Sequence, residues 1–248
     1  MAAGMVDAQS KLAWAKGHLE LLNEEIDRFA NSNPYTLTRE DGLDRHILRF
    51  RLLDVPAPIC LIAGDAIYNM RAALDQLVWS LARLKGNPPK RTAFPIVDGP
   101  TLTKPKFDSF NRSVVDVPAE AICEIDALQP YHRGAAYKTH PLWRLDEICN
   151  LDKHRRIPAN GSRSVLNFPN LTAEDRASGS VTIEASDEGF VMSVPVALKH
   201  KLDFHNRMAL AVDFGGDVSG ISENFQGLMQ IYKFIAKGVL PRFARFFT

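Results

Sequence analysis

The hydrophobic pattern is organised around one stretch, residues 59–84, ICLIAGDAIYNMRAALDQLVWSLARL, the longest unbroken helical pattern in the chain. At ~100° per residue, Ile67, Met70, Leu74, Leu77, Val78 and Leu81 share one face. Tyr68, Ala72 and Trp79 form a second apolar patch further round. A helix apolar on two sides is surrounded by other elements, so this one is the expected hub. Arg71 and Asp75 fall between the two faces and are expected to be at least partly buried, while Asp65, Asn69, Gln76 and Ser80 make a polar strip.

The same spacing recurs over residues 5–29, where Met5, Ala8, Leu12, Ala15, Leu19, Leu22, Ile26 and Phe29 form a stripe stopped by Asn31-Ser-Asn-Pro34. Alternation then predicts a hairpin of residues 35–39 and 43–53 around Glu40-Asp41-Gly42. His46, Leu48, Phe50 and Leu52 face one way, and Arg45, Ile47, Arg49 and Arg51 give the other face a basic character. Residues 90–117 read as extended and proline-punctuated, with Thr92-Ala-Phe-Pro-Ile96 as a short strand. A short helix follows at residues 118–128. The next starts after Thr139 or His140, either of which can cap it, and runs from Pro141 to Pro158. Residues 161–216 turn to strands, among them a hairpin through Asp187-Glu-Gly189 and a strand over residues 207–214. A last helix from Ser219 carries Phe225, Leu228, Ile231, Tyr232, Ile235 and Val239 until Pro241 ends or kinks it. The pattern predicts an α+β fold in a single domain over residues 1–248. Its helical bundle is built around a long central helix at about 56–85, with core segments at about 5–30, 118–156 and 219–246. Small antiparallel sheets from hairpins at about 35–53 and 161–216 pack against it.

Composition narrows the classes. With 248 residues the chain can bury a sizeable core, and a net charge of +1 gives no global case for nucleic acid, leaving only a local basic patch. Cys60, Cys123 and Cys149 are odd in number, widely spaced and set in apolar helical patterns, which reads as reduced, buried thiols. No signal peptide and no membrane-length apolar run is evident, so a cytoplasmic protein with no membrane contact is expected. His132, His140, His200 and His205 lack metal-ligand spacing and read as surface histidines with no metal. No glycine-rich phosphate loop or nucleophile elbow occurs, and no cofactor is expected. The C-terminal Arg-Phe-Ala-Arg-Phe-Phe is expected to fold back onto the core.

Candidate chemistry gathers at two places. Asp152 falls near the middle of the stripe Leu142, Leu145, Ile148 and Cys149, in a last helical turn whose dipole disfavours an anion. A carboxylate there needs a partner. Arg71 has the matching need, so a bidentate Arg71–Asp152 pair is expected, with Asp75 near Arg71. The plainer account is that this pair only fixes helix register. The sharper one is that it orients a site formed with Lys153, His154, Arg155 and Arg156, an anion pocket in which His154 serves as acid or base.

The stretch Gly64-Asp65-Ala-Ile-Tyr68-Asn69-Met70-Arg71-Ala-Ala-Leu74-Asp75-Gln76-Leu77-Val78 resembles a family of uncharacterised bacterial proteins with the pattern G-D-x-x-H-N-L-R-S-A-L-D-H-L-V. The likeness extends to Thr92-Ala-Phe-Pro-Ile96, Leu128-Gln-Pro-Tyr131, Pro141-Leu-Trp-x-Leu145 and Asp152-Lys-His-Arg155, within residues 43–157. That pattern is in turn similar to the R-x-x-x-x-H motif of HEPN-type helical ribonucleases, which cleave RNA without metal, usually at a dimer interface. The resemblance implies a role for Arg71, with Asn69 just before it, and a homodimer. The histidine position holds Gln76, which cannot shuttle a proton, so cleavage requires His154 as a substitute. The leading expectation is a binding protein that meets RNA or another anionic ligand through Asn69, Asp75, Lys153, Arg155 and Arg156, beside a buried Arg–Asp pair. The alternative is a metal-independent, degenerate HEPN-like ribonuclease using Arg71, Asp152 and His154.

Overall fold

The computed structural model describes residues 3–86, 92–154, 159–165, 172, 174–175, 181–186, 189–201, 209–216 and 221–248. The fold is α+β, with small antiparallel sheets. In chain order the elements are α1 (Ala3–Asn31), β1 (Tyr35–Asp41), β2 (Arg45–Leu52), α2 (Ala57–Arg83), α3 (Lys104–Ser113), α4 (Ala119–Ala127), α5 (Pro141–His154), β3 (Ala159–Val165), β4 (Thr182–Ser186), β5 (Gly189–Pro195), β6 (Ala209–Gly216), β7 (Ile221–Asn224) and α6 (Phe225–Lys233). They fall into two compact units. The first comprises Met1–Asn23, Ala57–Ala159 and Phe214–Thr248, and the second Glu24–Pro56 and Asn160–Asp213.

In the first unit α2 packs along α5, and α5 packs along α6. Ile67, Met70, Leu74, Leu77, Val78 and Leu81 of α2 are fully buried, as the spacing predicts. Each such burial favours folding by ~1.5–3 kcal/mol before chain entropy is charged against it. The second apolar patch is only partly covered. Tyr68 is exposed, and Trp79 is half-buried beneath the Arg83 guanidinium, 4.8 Å from its ring centre. A cation on the ring face covers Trp79 where another element was expected. Asn69 and Ser80, from the polar strip, are buried instead.

Three further expectations are corrected. Residues 104–113 are helical, because Pro105 occupies the first turn, where its missing N–H costs nothing, and Phe110 anchors the helix in the core. Residues 92–98 are extended but belong to no strand. The last helix starts at Phe225, not Ser219, after strand β7; the Asn224 side chain caps it by accepting from Gly227 N at 2.9 Å. From Phe234 to Val239 the backbone widens into a π-helical turn before Leu240–Phe243 resumes α geometry. Pro241 cannot donate to the carbonyl four residues back and its ring crowds it, which the widened turn relieves. The tail folds back as expected: Phe243 is fully buried, and Arg245 reaches Glu124 at 2.9 Å.

In the second unit the sheet order is β1-β2-β5-β4, with antiparallel pairs such as Leu37↔Phe50, Phe50↔Phe190 and Ile183↔Met192. Leu48, Phe50, Met192 and Val194 form its core, and the Phe50 and Phe190 rings stack with centroids 4.5 Å apart. The opposite face carries the predicted arginines. Arg45 donates to Ser193 Oγ at 2.6 Å and Arg49 lies 3.3 Å from Glu40 across the hairpin. Among the described residues no helix is long and apolar enough to cross a membrane.

Candidate functional site

The site begins with the two charges that α2 places one turn apart. Arg71 Nη2 donates to the Phe94 carbonyl at 2.8 Å and lies 3.2 Å from Asp75 Oδ1. Asp75 Oδ1 in turn accepts the Phe94 N–H at 2.9 Å. Both hydrogen-bonding groups of one peptide residue are thus held by one i,i+4 pair. Phe94 itself is fully buried, and Pro95 after it enforces the extended backbone that presents both groups to α2.

Arg71 Nη1 points at α5, where Asp146 Oδ1 lies 3.4 Å away. That separation brings charge attraction, but among the described residues Nη1 has no hydrogen-bond partner. The Arg71 side chain is 15% exposed, against 32% for Asp146 and 36% for Asp75, so the cation is the most deeply placed of the three. Glu147 follows Asp146. Burial raises its carboxyl pKa, and the neighbouring charges of Asp146 and Asp98 raise it further, while Lys138 works the other way.

Gln129 completes the arrangement. At 1% exposure it donates from Nε2 to Pro95 O at 2.9 Å and to Ile125 O at 3.0 Å, and its Oε1 accepts Val97 N at 2.9 Å. Residues 92–98 therefore replace strand pairing with side-chain partners from α2 and from the end of α4. Gln129 was missed as a site residue. Its signal is a polar side chain wedged between Leu128 and Pro130 in an apolar context.

The predicted residues separate. Asn69 sits two positions from Arg71 and so faces elsewhere; it is buried, donating to Asp65 O at 2.8 Å and accepting from Lys11 at 3.4 Å. Gln76 is half-buried, roughly 140° round the helix from Arg71. Asp152, Lys153 and His154 lie on the last turn of α5, but their side chains, and Arg155 and Arg156 altogether, lie outside the described residues, and so does the Arg71–Asp152 pairing. The α5 carboxylate described beside Arg71 is Asp146. It stands at the edge of the stripe, four residues after Leu142 and three before Cys149, a position matching that of Arg71 on α2.

Two of the remaining expectations change. His140 is not a surface residue: it is buried, its Nδ1 accepts Leu142 N at 3.2 Å, and its ring meets Phe234 edge-on. Burial, aided by the Arg133 charge, lowers its pKa to about 4, so the ring is neutral and free to cap α5. Cys60 and Cys149 are buried but Cys123 is exposed, because α4 buries Ala121 and Ile125 and turns Cys123 outward.

A second buried ion pair lies in the same unit. Arg144 of α5 grips Glu223 of β7 through both Nε and Nη2, and Glu223 is 4% exposed. Gly227 makes room for it: a Cβ there would overlap Glu223 Oε2 and lie 2.6 Å from Arg144 Nη2. Among the described residues no group of three or more His, Cys, Asp or Glu is placed to hold a metal. The chain matches no protein-family model, no curated protein and no solved structure.

Proposed function

We propose that this chain is a binding protein that meets an anionic ligand, RNA in the first instance, through the run Lys153-His154-Arg155-Arg156, whose first two residues close α5, and that Arg71 serves as scaffold. The observation that carries the reading is how Arg71 is occupied. Its guanidinium is committed to the Phe94 carbonyl, Asp75 and Asp146, and it is mostly enclosed. A catalytic arginine needs a face open to a scissile phosphate and a proton-transfer partner beside it. Asp75 and Asp146 are committed to Arg71, and Gln76, at the position of the motif histidine, cannot transfer a proton. The arginines of β2 support the same site by elimination. Arg45 and Arg49 are engaged with Ser193 and Glu40, which leaves less positive charge for a ligand. A short basic run of this kind binds by phosphate neutralisation, with little sequence preference and steep salt dependence.

The test is RNA binding and cleavage by the purified full chain, with and without chelator. The expected result is salt-sensitive binding without cleavage. A Lys153→Ala/Arg155→Ala/Arg156→Ala variant should bind far more weakly and with a shallower salt slope, while Arg71→Ala, studied where it is folded, should bind as the parent does. Chelator-resistant cleavage lost in His154→Ala would overturn the reading in favour of a metal-independent ribonuclease. Absence of RNA binding at low salt would overturn it in favour of a different partner.

A further inference from the structure

Apart from its buried stripe, α1 carries a second seam. Steps of four and three residues from Asp7 reach Lys11, Trp14, His18 and Leu21 and then Glu25 and Arg28, a heptad spacing that keeps them on one side of the helix. Its centre is apolar and open. Trp14 is 65% exposed, the largest accessible aromatic fraction among the described residues, and Leu21 is 41% exposed. Trp14 and His18 meet edge to face with centroids 5.7 Å apart. Gly17 beside them has open space where a side chain would stand, so another backbone can approach there. Arg28 pairs with Glu25 one turn below, which holds both charges on this side of the helix.

We propose that a second copy of this chain packs antiparallel along this seam, about a two-fold axis through His18. The charges choose the occupant and the direction. Parallel pairing in register would set Asp7 against the partner's Asp7 and Lys11 against the partner's Lys11. Antiparallel pairing centred on His18 sets Asp7 against the partner's Arg28, Lys11 against the partner's Glu25, and Trp14 against the partner's Leu21. Each opposed pair flanking the axis is then oppositely charged or apolar, with a large ring facing a smaller side chain, and the two His18 rings meet on the axis itself. A seam that is its own complement under a two-fold is the mark of an isologous contact. The contact spans three heptads, ~32 Å of helix, which belongs to the weak end of specific interfaces. The dimer is therefore concentration-dependent. This contact is independent of the RNA reading and uses neither Arg71 nor the end of α5.

Sedimentation velocity of the full chain across the micromolar range tests it. The expected result is a monomer–dimer equilibrium abolished by Trp14→Glu, an exposed substitution that leaves the circular dichroism unchanged. Asp7→Arg should weaken the dimer about tenfold, and Asp7→Arg with Arg28→Asp should restore it. In a Cys123→Ser background, His18→Cys should oxidise to a covalent dimer. A monomer at every concentration, a dimer indifferent to Trp14→Glu, or a charge swap without rescue overturns the proposal. A persistent dimer that does not cross-link at position 18 overturns its register.

Discussion

Truncating Arg71 to alanine separates scaffold from site most directly. The Phe94 carbonyl would lose the guanidinium at 2.8 Å, a charge-assisted bond worth ~1.5–3 kcal/mol. The attractions to Asp75 and Asp146 are each worth under ~1 kcal/mol, since both carboxylates are about one-third exposed. Against these stands the cost already carried in the parent for Nη1, which is buried without a hydrogen bond among the described residues. The net expectation is a loss of ~2–3 kcal/mol, or ~4–12 °C in Tm for a chain of this size. Asp75→Ala should cost a similar amount by stranding the Phe94 N–H. The double variant should cost less than the sum by ~1 kcal/mol, because both side chains hold the same residue. Arg71→Lys should recover less than half, since one ammonium cannot serve Phe94 O and Asp146 from opposite ends of a fork. Urea unfolding supplies the energies, and amide exchange at Phe94 and Val97 shows whether residues 92–98 are released. An Arg71→Ala chain within ~0.5 kcal/mol of the parent, with Phe94 still protected, would refute the clamp and reopen Arg71 as a functional group.

Gly227→Ala should cost ~2–4 kcal/mol, because the added methyl displaces Glu223 from Arg144 and strands a carboxylate that is 4% exposed. In a Glu223→Ala background the same change should be much cheaper, a comparison that chemical denaturation makes directly. His140, neutral in the fold with its pKa lowered to about 4, binds fewer protons folded than unfolded between that value and its ordinary one near 6.5. Its contribution is therefore complete above pH ~6.5 and is lost as pH falls towards 4, by roughly 2 kcal/mol after allowance for screening. His140→Ser keeps a cap for α5 and should flatten this part of the stability–pH curve; a curve unchanged by that substitution would refute the assignment.

Legibility followed the strength of the pattern. The buried stripes of α1 and α2 and the β1–β2 hairpin rest on many positions agreeing in period, so no single residue could mislead. Helix α3 rests on Phe110 as its one fully packed residue, and its proline reads as a breaker until its place in the first turn is known. The start of α6 was misread because Ile221–Asn224 is too short a strand to show alternation. At the site, Arg71 and Asp75 were legible because charges between apolar faces are costly and must be explained. Asp146 was not: it sits at the border of the α5 stripe, where a carboxylate does not call for a partner. Gln129 was hidden for a different reason. Its partners Pro95 and Val97 lie 34 and 32 residues earlier in the chain and are backbone groups, which leave no mark in residue identity.

Four of the residues quoted for the resemblance, Arg71, Asp75, Phe94 and Gln129, share one physical task. Arg71 and Asp75 hold Phe94, the residue before Pro95 in Thr92-Ala-Phe-Pro-Ile96, and Gln129 of Leu128-Gln-Pro-Tyr131 holds the two residues on either side of Ile96. Three separated sequence segments thus form a single hydrogen-bonded unit that replaces the missing strand partners of residues 92–98. Any chain that lays an extended segment across this helix must supply one donor and one acceptor to each buried peptide group, and a fork such as arginine beside a carboxylate meets that need within one helical turn. Arg71, Asp75 and Gln129 are thus engaged in holding residues 92–98. On the reading proposed above, Lys153 to Arg156, which follow the stripe of α5 in sequence, are the first positions to alter when a ligand is sought.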